Sequence, residues 1–285
     1  MKIKKVKSII TTVIIIIGVM VCLYPSISNY LAEKNHTEII KEYTNAVEEL
    51  DEEVVEEELE KATEYNENLA GDPVHDPFVE GSGYAVPDNY EDILNINGDG
   101  VMGYIEIPSI DCYLPIYHGT DSETLAKGVG HIEATSLPVG GTSTLSVLTG
   151  HTGLPTSELF TKLDRLEVGD VFYIHVLNQT LKYEIYETEV IEPEDISKLK
   201  IEEGRDLVTL VTCTPYGINT HRLLVKGERT EYDEETEEII EETSSYKDLI
   251  IKILIILIIL IILIVIIKII SQRKKYRKEN HLKVG

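Results

Sequence analysis

The sequence predicts a mainly β fold, a sandwich or a barrel, preceded by helix and set between two apolar segments. Three observations predict it. From Met102 onward, short apolar runs alternate with turns at the spacing of many short strands. Between Glu38 and about Leu69 the apolar residues recur instead at three- and four-residue steps, as on an amphipathic helix. Ile9 to about Tyr24 and Leu249 to Ile270 are dense enough in apolar residues to leave the aqueous part of the molecule.

In chain order, the first apolar run follows Lys2, Lys4, Lys5 and Lys7, the pattern of a signal peptide or an N-terminal signal anchor. Ser26-Ile27-Ser28 offers small residues for cleavage, so both fates remain open for segment 1–28. Residues 29–92 follow as an acidic, partly helical region. Ile40, Tyr43, Val47, Leu50 and Val54 form the apolar stripe, and the glutamates form a solvated face. Gly71-Asp72-Pro73 ends the helix, and a Gly- and Pro-containing stretch through Gly81-Ser82-Gly83 holds Asp76-Pro77-Phe78.

The strand candidates are Met102–Ile107, Cys112–Tyr117, Leu145–Thr149, Val171–Val176, Thr180–Val190, Leu207–Thr212 and Arg222–Gly227. Val168-Gly169-Asp170 and Asn178-Gln179 punctuate them. They fall within residues 93–230, about 135 residues, enough for one core. An acidic spacer, 231–248, leads to Leu249–Ile270, which as a helix rises about 33 Å and spans a hydrocarbon layer. Lys252 and Lys268 lie near its ends, where they can snorkel, and 271–285 is a basic tail. There is no internal repeat.

Basic residues at both termini predict cytoplasmic ends and an exterior middle. The formal net charge is −24, but the exterior part holds 14 basic against 49 acidic residues, about −35. Charge therefore excludes nucleic acid and anionic membrane surfaces as electrostatic partners. Only Cys112 and Cys213 lie outside the apolar runs. Cys112 alternates in register with Ile110, Leu114 and Ile116 and is expected in the core. No spacing of Cys and His suggests zinc, and no metal or cofactor is expected.

Chemistry concentrates in Thr209-Leu210-Val211-Thr212-Cys213-Thr214-Pro215-Tyr216-Gly217 followed by His221-Arg222. A strand ends at Cys213, a Pro-Tyr-Gly turn reverses the chain, and Arg222 opens the returning strand, so both side chains can face one cleft. A guanidinium there favours thiolate over thiol and can hold an oxyanion. The missing proton donor lies upstream in Gly150-His151-Thr152-Gly153. His118 and His131 are expected to pack or to support the site residues from behind, and His221, adjacent to Arg222, to point to the opposite face. His36, His175 and His281 are read as surface or satisfied core residues.

These strings resemble those of sortases, the cysteine transpeptidases of Gram-positive cell surfaces, and most closely the pilin-polymerising class C group. The similarity runs from about Ile93 to Gly227 and includes Leu148-Thr149-Gly150-His151-Thr152-Gly153-Leu154-Pro155, Tyr117-His118-Gly119-Thr120, Gly128-Val129-Gly130-His131 and Ser136-Leu137-Pro138-Val139-Gly140-Gly141. It implies a closed, mainly antiparallel eight-stranded β-barrel with small helices. Cys213 is then the nucleophile, His151 the proton shuttle and Arg222 the oxyanion and substrate-positioning residue. It also implies that Asp76, Pro77 and Phe78 form a lid, with the carboxylate on Arg222 and the phenyl ring over Cys213.

The implied reaction is cleavage of an LPXTG-type signal between Thr and Gly, followed by transfer of the acyl group to a pilin lysine. The implied partners are pilin or surface-protein substrates and the cell membrane. Two alternatives stay open: a sortase that anchors proteins to peptidoglycan, and a membrane-tethered scaffold that keeps the barrel without catalysis.

Overall fold

In the computed structural model, residues 2–69 and 89–232 are described. The triplet Asp76-Pro77-Phe78, the second apolar run 249–270 and the basic tail lie outside the described residues. Eight strands close on themselves in the order β1-β2-β3-β4-β7-β8-β6-β5. They are β1 Val101–Ile107, β2 Cys112–His118, β3 Val129–His131, β4 Thr144–Thr149, β5 Val171–Val176, β6 Gln179–Ile191, β7 Asp206–Thr214 and β8 His221–Thr230. β2–β3 and β4–β7 pair parallel and the other neighbours antiparallel, so the barrel is mixed but mainly antiparallel, as expected.

The seven strand candidates all form, with small shifts at their ends. The strand without a sequence candidate is β3, which has three residues. Its period cannot be read over so short a span, and it exists because its neighbours β2 and β4 supply the hydrogen bonds.

One core fills the barrel, with Ile105, Ile116, Leu148, Phe172, Ile174, Tyr183, Leu210 and Val225 among its fully enclosed members. A second cluster covers the outer face of β4, β7 and β8: Leu145, Val147, Leu207, Val211 and Leu224, with Ile191 from the end of β6 and Leu199 from the β6–β7 connection. These central strands are therefore covered on both faces, which explains their nearly continuous apolar sequence.

The helical region differs from the expected single helix over 38–69. α1 spans Lys2–Glu48 and α2 spans Glu52–Asn68, and the chain turns at Glu49-Leu50-Asp51. No break falls at residue 28, and Pro25 lies inside α1. The turn also resets the buried stripe. Ile40, Tyr43 and Val47 are enclosed as expected, but Val54 is exposed and Val55, Ala62 and Tyr65 carry the seam on α2.

Tyr43 fixes α1 to the barrel. Its hydroxyl donates to Met102 O (3.1 Å) and accepts from Leu177 N (2.8 Å) in the tight β5–β6 turn, where Leu177 has positive φ. On α2, Asn66 exchanges two hydrogen bonds with the Leu137 backbone (3.1 and 2.7 Å), and Tyr65 donates to Glu133 O. The N-terminal part of α1 is the one helix among the described residues long and apolar enough to cross a membrane, and its apolar window has nothing buried.

Candidate active site

β7 forms the floor of the site, with β4 on one side and β8 on the other. Parallel pairing sets Leu148 beside Leu210 and Thr149 beside Val211. The ladder continues past the end of β4: Gly150 N donates to Val211 O (3.1 Å), and Thr212 Oγ1 donates to Gly150 O (2.7 Å). Extended by two residues, this register sets His151 beside Cys213. On the other side, Cys213 pairs directly with Arg222. Leu145, Val147, Leu207, Val211 and Leu224 all face the outer cluster. Cys213 and Arg222 are in phase with them, so alternation puts both on that face of the sheet, and His151 follows in the loop two residues past the end of β4.

Local structure explains each position. A Cβ on Gly150 would lie 2.9 Å from the fully enclosed Phe160 ring, so a side chain there would displace the start of the His151 loop. Phe160 N donates to His151 O (3.1 Å), and Gly153, at φ 76°, donates to Thr161 Oγ1 (3.0 Å). After Cys213 the chain passes a cis Thr214–Pro215 bond and turns tightly, with Ile218 N and Asn219 N both donating to Pro215 O (3.0 and 2.9 Å). Arg222 is 7% exposed, and its Nη1 donates to Asn219 O (3.4 Å) and His221 O (3.2 Å). The turn thus fixes where its positive charge sits.

A shallow groove opens at Cys213, between Thr152 and Thr161 on the His151 side and Tyr216 and Leu223 on the other. Tyr216 and Ile218 are about two-thirds exposed and give the rim an apolar edge. Cys213 and His151 are each half-buried. Burial pushes the His151 imidazole below its usual pKa, so it is neutral near pH 7 and ready to take a proton.

The other singled-out residues fall elsewhere. His131 is enclosed, with Nδ1 on the Tyr90 hydroxyl (2.9 Å) and Nε2 on Ser136 O (2.8 Å). His118 bonds the carbonyls of Gly100 and Ile93, so both histidines pack, as expected. His221 turns away from Arg222 toward Glu192 (3.2 Å). His36 is an enclosed residue of α1, and His175 stacks on Tyr104. Cys112 is enclosed, burial pushes its thiol pKa up, and neither it nor Cys213 is in a disulfide. Among the described residues no three His, Cys, Asp or Glu side chains gather as a metal-ligand set.

Sequence reasoning passed over Thr212, which ties β7 to the start of the His151 loop, and Tyr216 on the rim. Both stand in the strings that singled out Cys213, and a hydroxyl one residue before Cys213 was the available signal.

The family model for the sortase domain matches residues 105–230. The crystal structure of Streptococcus pneumoniae sortase C, described as bearing on catalysis and pilin substrate specificity, is 43% identical. It aligns over 68% of this chain and 97% of its own, with a TM-score of 0.64. The chain belongs to the sortase family. Sortases are cysteine transpeptidases, and this sortase has a second similar structure in sortase C-1 of Actinomyces oris. That structure is 53% identical over 62% of this chain and 99% of its own, with a TM-score of 0.59. Among curated relatives, Bacillus subtilis sortase D is 32% identical over 45% of this chain, and the match spans 63% of that relative's length. The similar solved structures are class C enzymes, as the sequence motifs imply.

Proposed function

We propose that this sortase is a membrane-tethered pilin polymerase in which Cys213, His151 and Arg222 carry the chemistry. Cys213 Sγ attacks the Thr–Gly carbonyl of an LPXTG-type signal, and Arg222 holds the oxyanion. The thiol proton passes to His151, which delivers it to the departing glycine nitrogen as the C–N bond breaks. A pilin lysine amine then attacks the thioester. Its proton returns by way of His151 to the sulfur, and an isopeptide bond remains. The observation that carries this reading is the direct pairing of Cys213 with Arg222 across β7 and β8, supported by the parallel β4–β7 register, which ends with Thr149 beside Val211, two residues short of His151 and Cys213.

Several features support the finer assignments. α1 offers a membrane anchor, and the second apolar run 249–270 with its basic tail offers another, with both ends cytoplasmic. The apolar rim at Tyr216 and Ile218 suits a cover such as Phe78, with Asp76 directed to Arg222. The description of the similar pneumococcal enzyme in terms of pilin substrates favours lysine over peptidoglycan as acceptor.

The test is polymerisation by the full chain in lipid nanodiscs, given a pilin domain with a C-terminal LPXTG-type signal. Ladders resistant to boiling in detergent are expected, and replacing the acceptor lysine by arginine should end them. Ladders absent with pilin, together with transfer to a peptidoglycan-stem amine, would replace this reading with wall anchoring.

A further inference from the structure

α1 does more than reach the membrane. Asn29, half-buried on its barrel-facing side, sits five residues beyond Tyr24, about 8 Å along the axis from the end of the apolar run. Its Oδ1 accepts from Glu158 N at 2.7 Å, a contact between residues 129 apart in sequence. Its Nδ2 donates to Glu33 Oε1 at 2.8 Å one turn later, so the amide is held with its oxygen toward Glu158.

Glu158 begins the turn that closes the His151 loop. Its carbonyl accepts from Thr161 N (2.8 Å), Phe160 N bonds His151 O (3.1 Å), and Thr161 Oγ1 accepts from Gly153 N (3.0 Å). The same Phe160 ring bears on Gly150. A short path of hydrogen bonds and packing therefore runs from α1 to both ends of the tetrapeptide that carries His151. Farther along, Tyr43 pins α1 against β1 and the β5–β6 turn, so the helix cannot slide without breaking those bonds.

We propose that Asn29 is a positioning residue for the transfer reaction: through Glu158 and Phe160 it holds the loop bearing His151, making the membrane helix part of the active-site support. The inference rests on the assignment of His151 as proton shuttle. A loop carries its side chain with less precision than a strand, and misplacement of a reacting group by about 1 Å can cost on the order of a hundredfold in rate. Asn29 supplies from outside the barrel the restraint that strand pairing supplies on the Arg222 side.

The experiment uses the full chain in nanodiscs, with Asn29→Ala and the double variant Asn29→Asp/Glu33→Gln. The double variant keeps an acceptor for Glu158 N and reverses the donor of the helical pair. Amide exchange at residues 158–161 is measured beside kcat and KM on an LPXTG-type fluorogenic peptide.

For Asn29→Ala the expected result is faster exchange confined to this turn and kcat lower by about tenfold with KM little changed. The double variant should recover most of both. Wild-type exchange and kcat in Asn29→Ala would overturn the proposal, as would fast local exchange with unchanged kcat. Exchange rising across the whole barrel without rescue would reduce Asn29 to a stability contact and overturn it too. A wild-type chain that forms no Cys213 thioester overturns the transferase assignment instead, and is detected before any variant is compared.

Discussion

Arg222 reaches Cys213 through a ladder of eight consecutive residue pairs between β7 and β8, whereas His151 reaches it from a loop beyond the end of β4. The strand flank is enclosed and bonded to the carbonyls of its own turn. The loop flank depends on Phe160, Thr161 and, through Glu158, a helix from the other end of the chain. The difference matches the two jobs proposed. An oxyanion needs a charge already in place before reaction, which a strand provides. A proton shuttle serves a sulfur on one side and a departing nitrogen on the other, and a braced loop permits that small travel.

The largest effects should fall on the three proposed site residues. His151→Ala and Arg222→Lys should each lower kcat/KM for an LPXTG-type peptide by roughly 10²–10³. If Arg222→Lys is nearly as active as the wild type, charge alone suffices and the two-carbonyl clamp on the guanidinium is irrelevant.

Next comes acid sensitivity. Burial holds His131 down to a pKa of about 3, against the ordinary 6.5. The unfolded chain therefore binds the extra proton between those values. Stability from this residue is fully present above pH 6.5 and should fall as the pH drops, by about 2–3 kcal/mol at pH 4.5. Urea unfolding at pH 7.5 and 4.5 measures it. His131→Gln should start less stable but lose less between the two, and an unchanged slope would assign the acid limb to other groups.

Gly150→Ala is smaller, roughly 1–3 kcal/mol from overpacking against Phe160, and should cost activity beyond its effect on melting because it moves the loop flank alone. Lys226→Met, which removes ion pairs to Glu187 and Glu189 on the same face as Arg222 but four residues farther along β8, should shift stability by no more than about 1 kcal/mol and leave kcat unchanged.

How much of this was legible in the sequence depended on sequence distance. The Cys213–Arg222 hairpin could be read because a strand, a turn and a returning strand are adjacent, and alternation decides the faces. The His151 loop was legible as chemistry, but its neighbour was not. The parallel β4–β7 pairing joins segments about 60 residues apart, and no local period records a parallel register. β3 was too short to show a period. The long α1 was obscured because Pro25 and Ser26-Ile27-Ser28 look like a boundary, yet the helix runs through them. The turn at Glu49-Leu50-Asp51 has neither Gly nor Pro and gave no breaker signal. The Asn29–Glu158 contact exists only once α1 is docked, so no reading of either segment alone could find it.

The measurement that tests the account most directly is intact mass of the full chain mixed with an LPXTG-type peptide at neutral pH, beside Cys213→Ala and His151→Ala. The account predicts a mass gain equal to the peptide up to its threonine on the wild type, none on Cys213→Ala, and slow accumulation on His151→Ala. A gain that persists on Cys213→Ala, or full-rate formation on His151→Ala, would contradict it.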